Sequence, residues 1–238
     1  MDRAIDIGQG ELKMGSENLT EKEIYDSLSA LSKDKRNWET ELEHVASLLT
    51  YPSNKIKAKA LWLMGEMGLR YPLKVKPFTK QVVNMLNDAD DKIRERAIGA
   101  LGRIGRNNYS TIVPYMDEIL KKADDEAPNV RMNFIWAAEN IATNYPEAFA
   151  NVMNVFAALL NDHAVRVRIE APEIFRVIGK RKSEAVLPYI EKLEFISEHD
   201  ENNVVRVHST GAIKATLGDK PDEYQSQKGQ FLPLYESV

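Results

Sequence analysis

The chain repeats itself every 37 residues, and no other feature restricts its fold so strongly. The segments IKAKALWLMGEMG (56–68), IRERAIGALGRIG (93–105), VRMNFIWAAENIA (130–142) and VRIEAPEIFRVIG (167–179) align without a gap. Their first residues, Ile56, Ile93, Val130 and Val167, are each followed by a base: Lys57, Arg94, Arg131 and Arg168. Four positions on stand Ala60, Ala97, Phe134 and Ala171, and twelve positions on stand Gly68, Gly105, Ala142 and Gly179. Asp88, Asp125 and Asp162 precede the β-branched residue by five positions, with Tyr51 breaking the rule in the first unit. Pro77, Pro114 and Pro188 keep the same beat, and Asn151 fills the gap between them. A fifth unit, Asp200 to Gly218, carries Val205-Arg206, is one residue longer, and loses its apolar register.

Within a unit the apolar spacing is helical. Ile93, Ala97, Ala100, Leu101 and Ile104 form one stripe of a 3.6-residue helix. A shorter helix over Val82 to Leu86 precedes it and ends near Asn87-Asp88, where the carboxylate is placed to accept otherwise orphaned backbone N–H groups. Proline near the start of the upstream helix is tolerated in its first turn or kinks it. Gly105 and Gly179 are expected to end their helices as left-handed caps. Strand signals are missing: there is no Asn-Gly or Asp-Gly hairpin and no sustained alternation. Helical hairpins are therefore predicted near 37–70, 74–106, 109–144, 146–181 and 183–217. A capping helix is predicted over 21–32, with Thr20 as N-cap and Glu23 completing a capping box. One helix pair cannot bury its apolar face alone, whereas stacked pairs can. The expected fold is an all-α superhelix, a solenoid over 20–218, with irregular tails at 1–19 and 219–238.

Composition narrows the function. The 238 residues carry 32 basic and 36 acidic side chains, a net charge of −4, so the chain as a whole is no polycation built to coat nucleic acid. Zero cysteines exclude disulfides, thiolate metal sites and cysteine nucleophiles. The first fifteen residues lack the apolar core of a signal peptide, and no apolar run reaches 18 residues. A cytoplasmic protein that avoids membranes is the expectation. His44, His163, His199 and His208 show no metal-ligand spacing, and there is no phosphate-binding loop or nucleophile elbow. No metal, cofactor or catalytic residue is expected. Asn18-Leu19-Thr20 and Asn108-Tyr109-Ser110 match glycosylation sequons, which carry meaning only in a secreted chain.

An upstream helix, a turn holding Asp, then Val-Arg, Ala and Leu-Gly-x-Ile-Gly resembles the HEAT repeat. Asp88, Ile93, Arg94, Ala97, Leu101, Gly102 and Gly105 fit that pattern most fully, and the resemblance covers roughly 37–218. It implies a right-handed superhelix with upstream helices on the convex side and downstream helices lining a concave surface. Members of the class mostly act as scaffolds that grip another macromolecule. Others resemble the bilin lyase repeats, and one branch comprises alkylpurine DNA glycosylases. Fold-level likeness does not choose among these.

Two sets of polar columns follow from the repeat. The bases Lys57, Arg94, Arg131, Arg168 and Arg206 share a period with Asp88, Asp125, Asp162 and Asp200. Charge-assisted pairing between them, within a unit or across to the next, competes with a role as a cation ladder for an anionic partner. The internal, structural ladder is the expected one. On the face opposite the apolar stripe stand Lys59, Trp62, Glu66; Arg96, Gly99, Arg103; Asn133, Trp136, Asn140; and Glu170, Glu173, Val177. Trp62 and Trp136 occupy one column with Gly99 between them, so they can wall a groove for a peptide or a nucleobase, or else pack as core. Glu66 is expected beside Arg103, and Glu170 or Glu173 near Arg96, as ion pairs. Trp62, Glu66 and Arg103 have the residue types of the glycosylase branch but miss its motif positions. The leading expectation is a non-enzymatic scaffold binding a protein or peptide along its concave face through Trp62, Glu66, Arg96, Arg103, Asn133, Trp136 and Asn140. The alternative is a nucleic-acid-binding or DNA alkylation-repair-like protein using the same groove.

Overall fold

The computed structural model describes residues 19–218, all of them in helices, turns and short connections with no strand among them. The tails expected over 1–19 and 219–238 lie outside the described residues, Leu19 excepted. Helix α1 (Glu21–Lys33) opens on Thr20, whose hydroxyl accepts the Glu23 N–H while the Glu23 carboxylate accepts the Thr20 N–H, closing the capping box. The first pair is α2 (Trp38–Ser47) and α3 (Asn54–Arg70). A single turn, α4 (Pro72–Val75), leads to the pair α5 (Thr79–Asn84) and α6 (Asp91–Asn107). Then come α7 (Met116–Leu120) with α8 (Pro128–Ala142), and α9 (Met153–Leu159) with α10 (Val165–Gly179). The one-turn α11 (Ser183–Val186) precedes the last pair, α12 (Ile190–His199) and α13 (Asn203–Leu217).

The downstream helices α3, α6, α8, α10 and α13 lie side by side in a row, with α1 against α3 at its beginning. Trp38 anchors that start: it is fully buried, and its indole Nε1 donates to the Leu31 carbonyl across the α1–α2 corner at 2.7 Å. Ile56, Ile93, Val130 and Val167 are all buried, as are Ala60, Ala97 and Ala171 four positions on. Phe134 in that small-residue column fills its larger space by stacking on Phe156, with ring centroids 5.2 Å apart. Upstream helices are broken rather than continuous. Pro77, Pro114 and Pro188 each sit inside a 3-10 turn that precedes the α segment, where a missing N–H costs least.

Gly105 and Gly179 are not left-handed caps. Both lie within helices, and Gly218 is the only described glycine with positive φ. Their role is contact. A Cβ on Gly105 would run into Ile112 and Ile141, one on Gly179 into Thr216, and one on Gly68 into Ile104. Gly65 and Gly102 repeat the theme three residues earlier: a Cβ there would lie 2.9 Å from the Ala100 Cα and 2.5 Å from the Ala137 Cα. These glycines let neighbouring downstream helices approach backbone to backbone.

The charged columns run from each unit to the next. Arg94 grips Asp125 through Nε and Nη2 at 2.9 Å each, and Arg131 grips Asp162 at 2.6 and 2.8 Å. Arg168 Nε reaches Asp200 at 3.0 Å, and Lys57 Nζ reaches Asp88 at 3.1 Å. Each arginine also donates Nη1 backward, to the carbonyls of Asp88, Asp125, Asp162 and, from Arg206, Asp200. The aspartates in turn accept the N–H two residues on, at Asp90, Ala127, Ala164 and Asn202. The helix caps themselves are Asp90 for α6 and Asn202 for α13. Burial alone would raise the Asp125 carboxyl, but the hydrogen bonds from Arg94 and the Ala127 N–H outweigh it and hold it below its ordinary value. The Asp162 carboxyl is held down in the same way by Arg131.

Candidate functional site

Trp62 on α3, Arg96, Gly99 and Arg103 on α6, and Asn133, Trp136 and Asn140 on α8 line one cleft of ≈ 180 Å³ on the open face of the downstream row. The repeat places them there: each is three, six or ten positions beyond a buried β-branched residue, so they point away from the stripe that builds the core. Trp136 is 42% exposed, whereas Trp62 is half-buried against the core with Lys59 Nζ 4.8 Å from its ring centroid. Gly99 forms an open floor, where a Cβ would meet nothing nearer than Arg103 Nη1 at 3.5 Å.

The polar groups of the cleft differ in what they have left to offer. Arg103 is engaged twice, with Glu66 at 2.9 Å and with the Gly99 carbonyl at 3.1 Å. Asn133 and Asn140 donate to the carbonyls of Asn129 and Trp136, one turn back on their own helix, at 3.0 and 2.9 Å. Asn140 Oδ1 also accepts from Arg106 Nη1 at 3.1 Å. Arg96 makes no hydrogen bond or ion pair among the described residues, so its guanidinium is available. Trp62 and Arg96 continue into a second cleft of ≈ 360 Å³, walled by Tyr25, Lys55, Lys59 and Lys92. Lys55 Nζ lies 4.1 Å from the Tyr25 ring centroid, and Lys59 Nζ donates to Ser32 Oγ at 3.2 Å. Burial first, and then the charges of Lys33 and Arg96, push the Lys59 ammonium below its ordinary pKa.

Glu66 and Arg103 pair as the sequence suggests, but Glu170 and Glu173 do not meet Arg96. Glu170 accepts the Trp136 Nε1–H at 3.0 Å, and Glu173 accepts from Arg176 Nε at 2.6 Å with His208 Nδ1 3.3 Å away. They sit on α10, two helices along the row from Arg96, which is too far for a side-chain pair. A further residue belongs to this corner and escapes the face reading. Glu139, on α8, has a buried Oε1 with no hydrogen-bond partner among the described residues, and its pKa is pushed up to about 8 by burial and by the charges of Glu173 and Glu170. Its column reads Gly65, Gly102, Glu139, Arg176, and a glutamate standing where two units keep glycine is the sequence signal for it.

Stacked helical pairs joined by a recurring Arg–Asp bridge, with a trough along one face, define an all-α repeat solenoid. The family model described as HEAT repeats matches residues 79–171. No curated protein sequence matches the chain. Among solved structures, the fold is similar to a designed armadillo repeat protein in complex with the peptide (KR)4, at 22% identity over 84% of this chain and 95% of that one, TM-score 0.62. It is also similar to computationally designed armadillo repeat proteins for modular peptide recognition, at 19% identity over 82% and 94%, TM-score 0.57. A chain of the Kap95:Nup1 complex aligns at 15% identity and TM-score 0.64, with 79% of this chain covering 26% of that one. No helix among the described residues is long and apolar enough to cross a membrane.

Proposed function

We propose that this chain is a non-enzymatic scaffold that binds a protein or peptide along the concave face of its solenoid. The contacts are Trp62, Arg96, Asn133, Trp136 and Asn140, with Glu66 and Arg103 bracing the floor. The observation that carries the reading is the cleft between two tryptophans, one of them 42% exposed, with an unengaged arginine beside it. A large aromatic held on a rigid helix is the typical anchor of a binding hot spot, and the preformed row loses little ordering entropy on binding. One structural neighbour is named as a complex with the peptide (KR)4 and another as designed for modular peptide recognition, which supports the same reading. A duplex would meet carboxylates at Glu170 and Glu173 at one end of the trough, which opposes a nucleic-acid reading.

Trp136→Ala tests the proposal. Proteins captured from the native cell on the wild-type chain should be lost from the variant, with affinity falling about thirtyfold for a hot-spot tryptophan. Helical circular dichroism and unfolding temperature should stay unchanged. A variant that melts makes Trp136 part of the core, and a variant that captures the same proteins removes the groove from the binding surface. Tight duplex DNA binding that falls steeply with salt would transfer the site to nucleic acid.

A further inference from the structure

The charge of the trough changes sign along its length. In one side-chain column, from α3 to α10, stand Lys59, Arg96, Asn133 and Glu170, so the column runs positive, positive, neutral, negative. The column beside it reads Trp62, Gly99, Trp136, Glu173. At the α1–α3 end, Lys55, Lys59 and Arg96 form no ion pair with any carboxylate among the described residues. The carboxylates nearby, Glu66 and Glu95, are already occupied by Arg103 and Lys92. At the α8–α10 end, Glu170 forms no ion pair among the described residues and accepts only the Trp136 indole N–H, beside Glu173, which Arg176 and His208 engage. Between the two ends the tryptophans and the asparagine amides are uncharged.

Resting on the peptide-binding reading, we infer that the occupant is an extended peptide segment with carboxylate side chains at one end and Lys or Arg at the other. The acidic end lies over Lys55, Lys59 and Arg96, the basic end lies over Glu170, and an apolar residue sits between Trp62 and Trp136. Complementary potentials along a trough select such a ligand and reject a uniformly charged one, because each like-charge juxtaposition opposes binding at one end. The separation follows from geometry. Three steps between neighbouring helices at about 9 Å each span about 27 Å, which an extended chain crosses in about eight residues. The same arrangement disfavours a polyanion such as duplex DNA and a peptide that is basic throughout.

A random dodecapeptide display library panned on the full chain tests this. Enriched peptides should segregate Asp and Glu from Lys and Arg with about eight residues between the blocks. Lys59→Glu combined with Arg96→Glu should remove the acidic block, and Glu170→Gln should remove the basic one. Synthesised winners should bind each matching variant about fivefold more weakly per lost exposed pair, with unchanged circular dichroism. Peptides that are enriched on the wild type and lost on Trp136→Ala, but show no charge segregation, would overturn the polarity and leave the groove standing. Equal enrichment on wild type and Trp136→Ala would overturn both.

Discussion

Glu139 offers the sharpest physical test of this structure. Its carboxyl lies near Glu170 and Glu173 on α10, with Arg176 giving only partial relief, and its Oε1 is buried without a hydrogen bond among the described residues. A carboxyl whose pKa rises on folding from 4.5 to about 8 keeps its proton at neutral pH. The native state then binds more protons than the unfolded chain between those values, so stability falls as pH rises through that window and levels off above it. At 1.36 kcal/mol per tenfold change in the proton equilibrium, the full effect is about 5 kcal/mol. Side-chain movement toward the trough trims this, and a loss on the order of 2–4 kcal/mol between pH 5 and pH 9 is expected. Glu139→Gln keeps the shape and removes the titration, so its advantage over wild type should grow across the same range. For a chain of this size that amounts to about 5–10 °C in unfolding temperature at pH 9 relative to pH 5. Urea melts at pH 5, 6.5, 8 and 9, run on both proteins, measure the difference directly. A constant gap between the two proteins at all four values would refute the claim that Glu139 is buried among like charges.

Two glycines three residues apart should respond in opposite directions. Gly99→Ala meets only Arg103 Nη1 and Asn133 Oδ1 at ordinary contact distance and should gain up to about 1 kcal/mol of helix stability, read by urea denaturation. Gly102→Ala drives its Cβ to 2.5 Å from the Ala137 backbone and should cost about 2–3 kcal/mol in the same assay. Along the arginine ladder, Arg131→Ala leaves Asp162 buried without its partner and should cost about 3–5 kcal/mol. Arg206→Ala gives up hydrogen bonds to Asp200 and Glu201 carbonyls and to the Asn203 side chain, and should cost about 1–2 kcal/mol, so thermal melts should separate the two variants clearly.

The parts of the fold that recur in the sequence were the legible parts. The stripe headed by Ile93, the Arg94–Asp125 bridge and the common cleft of Trp62, Gly99 and Trp136 all follow from one period and one helical pitch, which are fixed by backbone geometry. What depends on how far apart helices lie was not legible. Gly105 ends an apolar stripe in the sequence as a cap would, yet the close approach of Ile112 and Ile141 explains it. The upstream segments divide into 3-10 and α turns according to packing around Pro77, Pro114 and Pro188, which local propensity does not resolve. Glu170 lies on the right face, but which neighbour it serves was decided by the Trp136 indole, across the α8–α10 boundary rather than toward Arg96.

The joint between α8 and α10 is built differently from those before it. At α3–α6 and α6–α8, glycine meets the alanine backbone opposite, Gly65 on Ala100 and Gly102 on Ala137. At α8–α10 the corresponding residues are Glu139 and Ile174, and Ala142 replaces the second glycine of Gly68 and Gly105. The two helices share less contact there than their predecessors do. The row is thus closed backbone to backbone at its first two joints, while the third lacks the glycines that permit such an approach.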